Sequence, residues 1–159
     1  MKRILVLLPV LALSLMATGV SLAQESPFVG TWKLNVAKSK FTGSQPPKSE
    51  TRTVVAQDGG MKVTYEGIAA DGSPISYVIT TNFDGKDSPI SGTSRLGADT
   101  VAAKRVDANT TTSTSKKAGK TLYTTRTVVS KDGKVTTQTT KGVNGDGMPI
   151  SEATVWDKQ

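Results

Sequence analysis

The chain has 159 residues and a net charge of +7, and it contains neither cysteine nor histidine. Without these residue types there is no disulfide, no Ser-His or Cys-His nucleophile pair and no zinc site of the usual nitrogen and sulfur ligands. The basic residues are scattered, and exposed aromatic residues between them are not evident, so we do not expect nucleic acid as a partner. We also predict no cofactor and no bound metal.

The first residues have the pattern of a secretory signal. Lys2 and Arg3 are followed by an apolar run over residues 4–16 and then by small residues before a cleavage point. The run is shorter than the ~20 residues of a membrane-spanning helix, and no second run follows. The sequence therefore predicts a signal peptide, residues 1–23, and a periplasmic or secreted mature domain, residues 24–159. Loss of Lys2 and Arg3 lowers the net charge from +7 to +5.

Apolar and polar residues alternate with a period of two along the mature chain, as in half-buried strands. The segment MKVTYEGI puts Met61, Val63 and Tyr65 on one face. Asp-Gly and Asn-Gly pairs, which favour tight hairpin turns, separate such segments. Only residues 35–44 could hold a helical turn. We predict an all-β single domain, an antiparallel up-and-down barrel of about 8–10 strands, with a β-sandwich as the alternative.

Two parts of the chain are similar to each other. TRTVVAQDG at 51–59 matches TRTVVSKDG at 125–133, and DGSPIS at 71–76 returns as DGMPIS at 146–151, with one residue inserted between the blocks. We interpret each copy as a three-stranded meander, in which Asp bonds the turn, Gly supplies a positive φ and Pro opens the next strand. KDSPIS at 86–91 is given the same scaffolding role. The rival hypothesis, a calcium site, lacks the alternating ligands and closing Glu of such loops.

The segment FVGTWKLNVAKSKF at 28–41 resembles the first strand of the calycin superfamily, the lipocalins and fatty-acid-binding proteins. The Gly-x-Trp of that superfamily corresponds to Gly30 and Trp32. The resemblance implies that this Trp packs across the closed end of the barrel and that this Gly lets the chain pass close to it. The segment is also similar to that of exported bacterial proteins described as lipocalin-like.

The end of the chain resembles the fatty-acid-binding branch, which holds a ligand carboxylate with an Arg on an earlier strand and a final Arg-x-Tyr pair. Arg126 matches the first Arg, Trp156 stands in place of the Tyr, and Thr154 replaces the second Arg, which removes the bidentate fork for a carboxylate. The stretch 36–48 is too short for the two lid helices of that family, which implies an open mouth. Alternation does not decide whether Arg126 points inward. The candidate ligand contacts are Arg126, Trp156, Tyr65, Tyr77 and Tyr123.

Three functions follow from these patterns. The first is a non-catalytic carrier or scavenger for a small hydrophobic or amphipathic ligand, with or without an anionic group. This function predicts a monomer with a cavity of several hundred Å³. The second is a ligand-free structural or protein-interaction barrel of the cell envelope. The third, an enzyme, is not predicted, because most acidic residues lie in turns and only Glu66 is a strand carboxylate to test. Threonine-rich strands would leave room inside the barrel, or they could be weakly buried edges.

Overall fold

The computed structural model describes residues 26–159, so the predicted signal peptide lies outside the described residues. A 3-10 turn, Val36–Lys38, separates the first two strands. Within the described range, no helix is long and apolar enough to span a membrane. The strands are β1 (Gly30–Leu34), β2 (Lys40–Thr42), β3 (Ser49–Gln57), β4 (Gly60–Ile68), β5 (Pro74–Thr81), β6 (Asp84–Thr93), β7 (Thr100–Asp107), β8 (Thr110–Lys117), β9 (Lys120–Val129), β10 (Val135–Val143) and β11 (Pro149–Lys158).

Ten of the eleven strands form a closed antiparallel barrel. From β3 to β11 each strand pairs with its neighbour in sequence, and β1 pairs with both β3 and β11, which closes the sheet. The short β2 pairs with the other half of β11, so β1 and β2 together cover that strand. Closure leaves few backbone groups unpaired at an edge. The predicted up-and-down barrel is confirmed, and the sandwich alternative is wrong.

Threonine and serine side chains fill much of the barrel interior. They lie on the inward faces of β8 to β11, where every second residue points away from solvent. These positions are buried, so the strands that carry them are not weakly buried edges. The buried inward hydroxyl residues on these strands are Ser115, Thr127, Thr136, Thr140 and Thr154.

The larger apolar cluster surrounds Trp32 at one end of the barrel. Trp32 is completely buried and donates its Nε1–H to the Phe28 carbonyl oxygen at 2.9 Å. Gly30 has a φ of +131°, and a Cβ at this position would lie 2.7 Å from Cε of Lys158, whose ammonium sits 5.2 Å from the Trp32 ring centre. Gly30 therefore makes room for a side chain that packs on Trp32. The buried members of this cluster are Phe28, Trp32, Leu34, Val54, Met61, Val129 and Trp156.

The two DGxPIS segments are turns that lead directly into strands, as predicted. Asp71 accepts hydrogen bonds from the backbone N–H and the hydroxyl of Ser73, at 2.9 and 2.7 Å. These bonds lower the pKa of Asp71. Gly72 adopts a φ of +94°, and β5 and β11 then begin at Pro74 and Pro149. In the second copy Asn144 accepts the turn bonds instead, from the N–H groups of Asp146 and Met148 at 3.0 and 2.9 Å, so the bonding role predicted for Asp is found at Asp71 and not at Asp146.

The third segment, KDSPIS at 86–91, is not a turn, and that prediction is wrong. It lies inside β6, where Pro89 pairs with Thr100 of β7. Asp87 stands where the other two copies have a glycine, so the residue that would supply a positive φ is missing. The chain turns earlier instead, at Phe83, which has a φ of +57°.

Candidate functional site

The barrel contains two adjoining internal cavities below a wider one at its mouth. The deep cavity, of about 100 Å³, lies at the Trp32 end and is lined partly by Phe28 and Met61. The upper cavity, of about 90 Å³, shares Tyr65 and Gln138 with it. The mouth cavity, of about 530 Å³, lies among the loops β2–β3, β4–β5, β6–β7 and β10–β11. Ligand sites usually have ~300 Å³ or more, so the two internal cavities are each smaller than the expected several hundred Å³, whereas the mouth cavity reaches that size.

Four of the five predicted ligand contacts line the upper cavity. The rings of Tyr65 and Tyr77 are stacked with centres 4.4 Å apart, and Trp156 meets Tyr65 edge-on at 6.2 Å. Tyr123 completes this wall. Burial raises the pKa of both Tyr77 and Tyr123, so their hydroxyls stay protonated and can donate hydrogen bonds at neutral pH.

Arg126, the fifth predicted contact, lies outside the barrel. It is exposed, it pairs with Thr112 and Thr139 across the outer face, and its chain neighbours Thr125 and Thr127 face inward. An outward side chain in the middle of a strand cannot reach the interior. The assignment of Arg126 to an internal ligand site is therefore wrong.

The buried arginine of the deep cavity is Arg52, on β3. It is 4% exposed, and its guanidinium carbon lies 5.0 Å from the ring centre of Trp156 and 5.7 Å from that of Trp32. Arg52 takes part in none of the ion pairs formed within residues 26–159, and its Nε is buried without a hydrogen-bond partner there. Burial raises the pKa of Glu50 and the charge of Arg52 acts against this rise, but a buried N–H donor without an acceptor is still unfavourable. Arg52 therefore offers donors to an anionic group in the deep cavity, which it lines.

A second arginine of the interior, the half-buried Arg95, reaches down from the β6–β7 loop. Its Nη1 and Nη2 donate to the two carboxylate oxygens of Glu152 at 3.0 and 2.6 Å, and its Nε lies 3.5 Å from Oε2 of Glu50. Ser44 donates a further hydrogen bond to Glu152. Burial raises the pKa of Glu50, although the charge of Arg95 acts in the opposite direction. Burial also disfavours the charged form of Arg95. The hydrogen bonds and charge of Glu152, together with the charge of Glu50, outweigh this effect and raise the pKa of Arg95.

The sequence contained a partial signal for this charged interior. Glu50 and Arg52 alternate in phase with Val54, and Glu152 alternates in phase with Trp156, so these charged residues share a face with core residues. Charged residues on such a face mark an internal polar cluster. Arg95 lies in a loop and gave no such signal.

Glu66 and Asp132 are acidic residues that lie outside the barrel interior. Glu66, the strand carboxylate chosen for testing, is exposed on the outer side of β4. Asp132 is used within its own turn, where it accepts bonds from Ser130 and Lys134. In the part of the chain that the structure describes, no three residues of the types Asp, Glu, His and Cys are grouped so that they could hold a metal ion.

The barrel is similar to a solved structure, that of zebrafish ileal bile acid-binding protein in complex with cholic acid. The match has a TM-score of 0.50 and 14% sequence identity, and it covers 84% of this chain and 100% of that chain. The fold is that of the calycin barrels. Searches with protein-family models and among curated proteins gave no match. The resemblance seen in the sequence is thus confirmed for the architecture.

The mouth of this barrel differs from the one that the resemblance to the fatty-acid-binding branch implies. After β1 the chain forms one 3-10 turn, Val36–Lys38, and the short β2, which leaves no room for two lid helices. Arg95 and Leu96 project into the opening instead and line the mouth cavity as well as the upper cavity. Among residues 26–159 no helical lid covers the mouth, and Arg95 and Leu96 lie between the mouth cavity and the upper cavity.

Proposed function

We propose that the protein is a non-catalytic carrier or scavenger of a small amphipathic molecule with an anionic group, bound inside the barrel. The observation that carries this proposal is Arg52, a buried guanidinium with an unpartnered Nε that faces a cavity between apolar side chains. The similar zebrafish structure is that of a bile acid-binding protein, which supports an amphipathic ligand. We further propose that the protein acts as a monomer after export.

The arrangement suggests how such a ligand would lie. Its anionic group would accept charge-assisted hydrogen bonds from Arg52, which are stronger than bonds between neutral groups. The stacked faces of Tyr65 and Tyr77 and the edge of Trp156 offer apolar surface to the body of the ligand. Protonated tyrosine hydroxyls could donate to any oxygen along it. The site thus combines one cationic anchor with aromatic walls.

The size of the interior favours a slender ligand, or a larger one that extends upward. Cavities of about 100 and about 90 Å³ accept a carboxylate and a short chain, and the mouth cavity of about 530 Å³ lies directly above Arg95 and Leu96. A ligand longer than the interior would have to displace these two side chains.

A ligand-free scaffold of the cell envelope is the second candidate. The small internal cavities favour it, because densely packed interiors hold few voids larger than a water molecule. The scaffold hypothesis does not explain why the charged Arg52 is buried next to two tryptophans. The two candidates predict different binding behaviour.

Intrinsic fluorescence tests the proposal without a label. The chain has two tryptophans, Trp32 and Trp156, and both contact Arg52. Titration with cholate or oleate, below the concentrations at which they form micelles, should give a saturable change in emission. Oleyl alcohol, which lacks the charge, should bind more weakly. Absence of saturation with every amphiphile tested would favour the scaffold.

A further inference from the structure

Arg95 and Leu96 form the wall between the mouth cavity and the interior. They are the two residues that line both the mouth cavity and the upper cavity. No residue lines both the mouth cavity and the deep cavity among those that the structure describes. A molecule that enters from the mouth therefore has to pass these two side chains.

The β6–β7 loop that carries them is tied to the barrel at its base, where Asp99 accepts a hydrogen bond from the Ile90 N–H at 2.8 Å and donates its own N–H to the Lys116 carbonyl at 2.9 Å. The tip of the loop has fewer ties. Its own turn is closed by the Gly97 N–H to Ser94 carbonyl bond at 3.0 Å and by the Ser94 hydroxyl, which donates to the Ala98 carbonyl at 2.8 Å. One backbone bond, from the Gly145 N–H to the Leu96 carbonyl at 2.9 Å, joins its tip to the β10–β11 loop. The strongest side-chain tie is Arg95.

Arg95 lies between two buried carboxylates and the mouth cavity. Glu152 and Glu50 are both only 3% exposed, so their ion pairs with Arg95 are formed at a large desolvation cost, which reduces their net contribution to stability. Arg95 also lines the mouth cavity, where water could solvate its guanidinium if the ion pairs separated.

We infer that Arg95, paired with Glu50 and Glu152, is a latch that holds the β6–β7 loop as a plug, and that ligands enter the barrel when this latch releases. The inference rests on the proposed function, because it concerns access to that same site. Leu96 follows Arg95 in the chain and packs against the small cluster of Ala98, Tyr123 and Ile150, so release would also separate Leu96 from this cluster. Release would join the mouth cavity to the interior.

Hydrogen exchange of the ligand-free mature protein, followed by mass spectrometry, tests the latch without reference to any ligand. The Arg95→Met variant should exchange the amides of Gly97 and Gly145 roughly tenfold faster or more, the change that corresponds to losing about one hydrogen bond to a charged group. Arg95→Lys should fall between it and the wild type. Arg126→Met, on the outer face, is the matched control and should leave both amides unchanged.

The Arg95→Met change leaves two buried carboxylates without their cation, which could unfold the protein. The triple variant Arg95→Met, Glu50→Gln, Glu152→Gln removes all three charges and should also accelerate exchange in the two loops. Circular dichroism identifies variants that keep the barrel. Unchanged exchange in a folded triple variant would overturn the latch, because backbone contacts alone would then hold the plug.

The rate at which an uncharged fluorophore such as Nile red binds separates the latch from the proposed function. Faster association in the Arg95→Met or triple variant, with an unchanged rate in Arg126→Met, supports both the latch and the proposed function. Faster exchange with no binding in any variant supports the latch and removes the proposed function. Faster exchange with an unchanged association rate would overturn the role of the latch in access.

Discussion

Arg52 and Arg126 hold the same place in two matching TRTVV segments, yet their side chains point to opposite faces of the barrel. Arg52 pairs with Tyr65 on the inner face and is buried, whereas Arg126 pairs with Thr139 on the outer face and is exposed. One copy of the arginine is therefore an internal cation and the other a surface charge.

The single inserted residue explains this inversion. Gly67 and Gly142 are equivalent residues, 75 positions apart, that lie after the insertion point. Each pairs with the equivalent isoleucine of the next strand, Ile75 or Ile150, so the strands after this point have matching inward and outward positions in the two copies. Arg126 follows Arg52 by only 74 residues. Because side chains alternate with a period of two, a shift of one residue moves a side chain to the other face.

Replacing Arg52 by Met should weaken the binding of anionic amphiphiles without a large loss of stability. Loss of hydrogen bonds to a charged ligand group corresponds to about 1.5–3 kcal/mol, or roughly tenfold or more in affinity. Met fills similar space and removes a buried charge, so the free energy of unfolding should change by about 1 kcal/mol or less. Fluorescence titration and urea unfolding measure the two quantities.

Arg126→Met is the control for this change, because it alters the same segment type on the outer face. Its affinity and stability should match those of the wild type. If Arg52→Met instead lowered stability by about 3 kcal/mol or more and kept the affinity, packing on Trp32 and Trp156 would be the main role of Arg52.

Glu50 should give stability an unusual dependence on pH. Burial raises its pKa in the folded state above the ordinary value of 4.5, so the folded protein binds the proton more tightly than the unfolded chain. The contribution of Glu50 to stability therefore increases as pH falls from neutral through the folded pKa towards 4.5. Urea unfolding of the wild type and Glu50→Gln between pH 7.5 and about 4.5 should show this slope only in the wild type.

Three turn aspartates should make the free energy of unfolding decrease, not increase, as the pH falls further. Hydrogen bonds lower the pKa values of Asp71, Asp107 and Asp132 below 3.8, and the stability that they provide is lost as pH falls through those values. The Glu50→Gln variant should lose stability at low pH in the same way as the wild type. An identical pH profile above 4.5 for both proteins would contradict the assignment to Glu50.

Gly142→Ala should destabilise the barrel strongly. Gly142 has a φ of +147°, and a Cβ there would lie 2.2 Å from the Leu122 carbonyl oxygen and 2.6 Å from Cα of Tyr123. Backbone strain and displacement together should cost about 2–4 kcal/mol. Gly133→Ala is the control, with a φ of +70° but no atom within 4 Å of the new Cβ. Equal losses in urea unfolding would show that the contact is unimportant.

Local patterns predicted most strands but not all of their faces. Strands between Asp-Gly turns, such as β4 and β5, followed from alternation alone. The segment DGKDSPISGT of β6 has the composition of a turn, and pairing with β7 and β5 overrides that preference. The faces of Arg52 and Arg126 could not be told apart, because both lie in an identical TRTVV context and the neighbouring strands decide the phase.

The charged part of the site depends on contacts between distant segments. Arg95 lies in a loop, and its partner Glu152 is 57 residues away in sequence. No periodic pattern predicts such a contact, since loops have no fixed direction relative to the sheet. Tyr65, Tyr77 and Tyr123 are candidates because aromatic side chains on strands usually face the interior. Trp156 is a candidate because it stands in place of the Tyr in the resemblance to the fatty-acid-binding branch.

Native mass spectrometry of the protein, purified without detergent, tests the central claim most directly. The account predicts an added mass that is lost on denaturation, or saturable uptake of one equivalent of an anionic amphiphile that is reduced in Arg52→Met and unchanged in Arg126→Met. A bare protein mass, with no uptake from a panel of carboxylic amphiphiles and their uncharged counterparts, would contradict it.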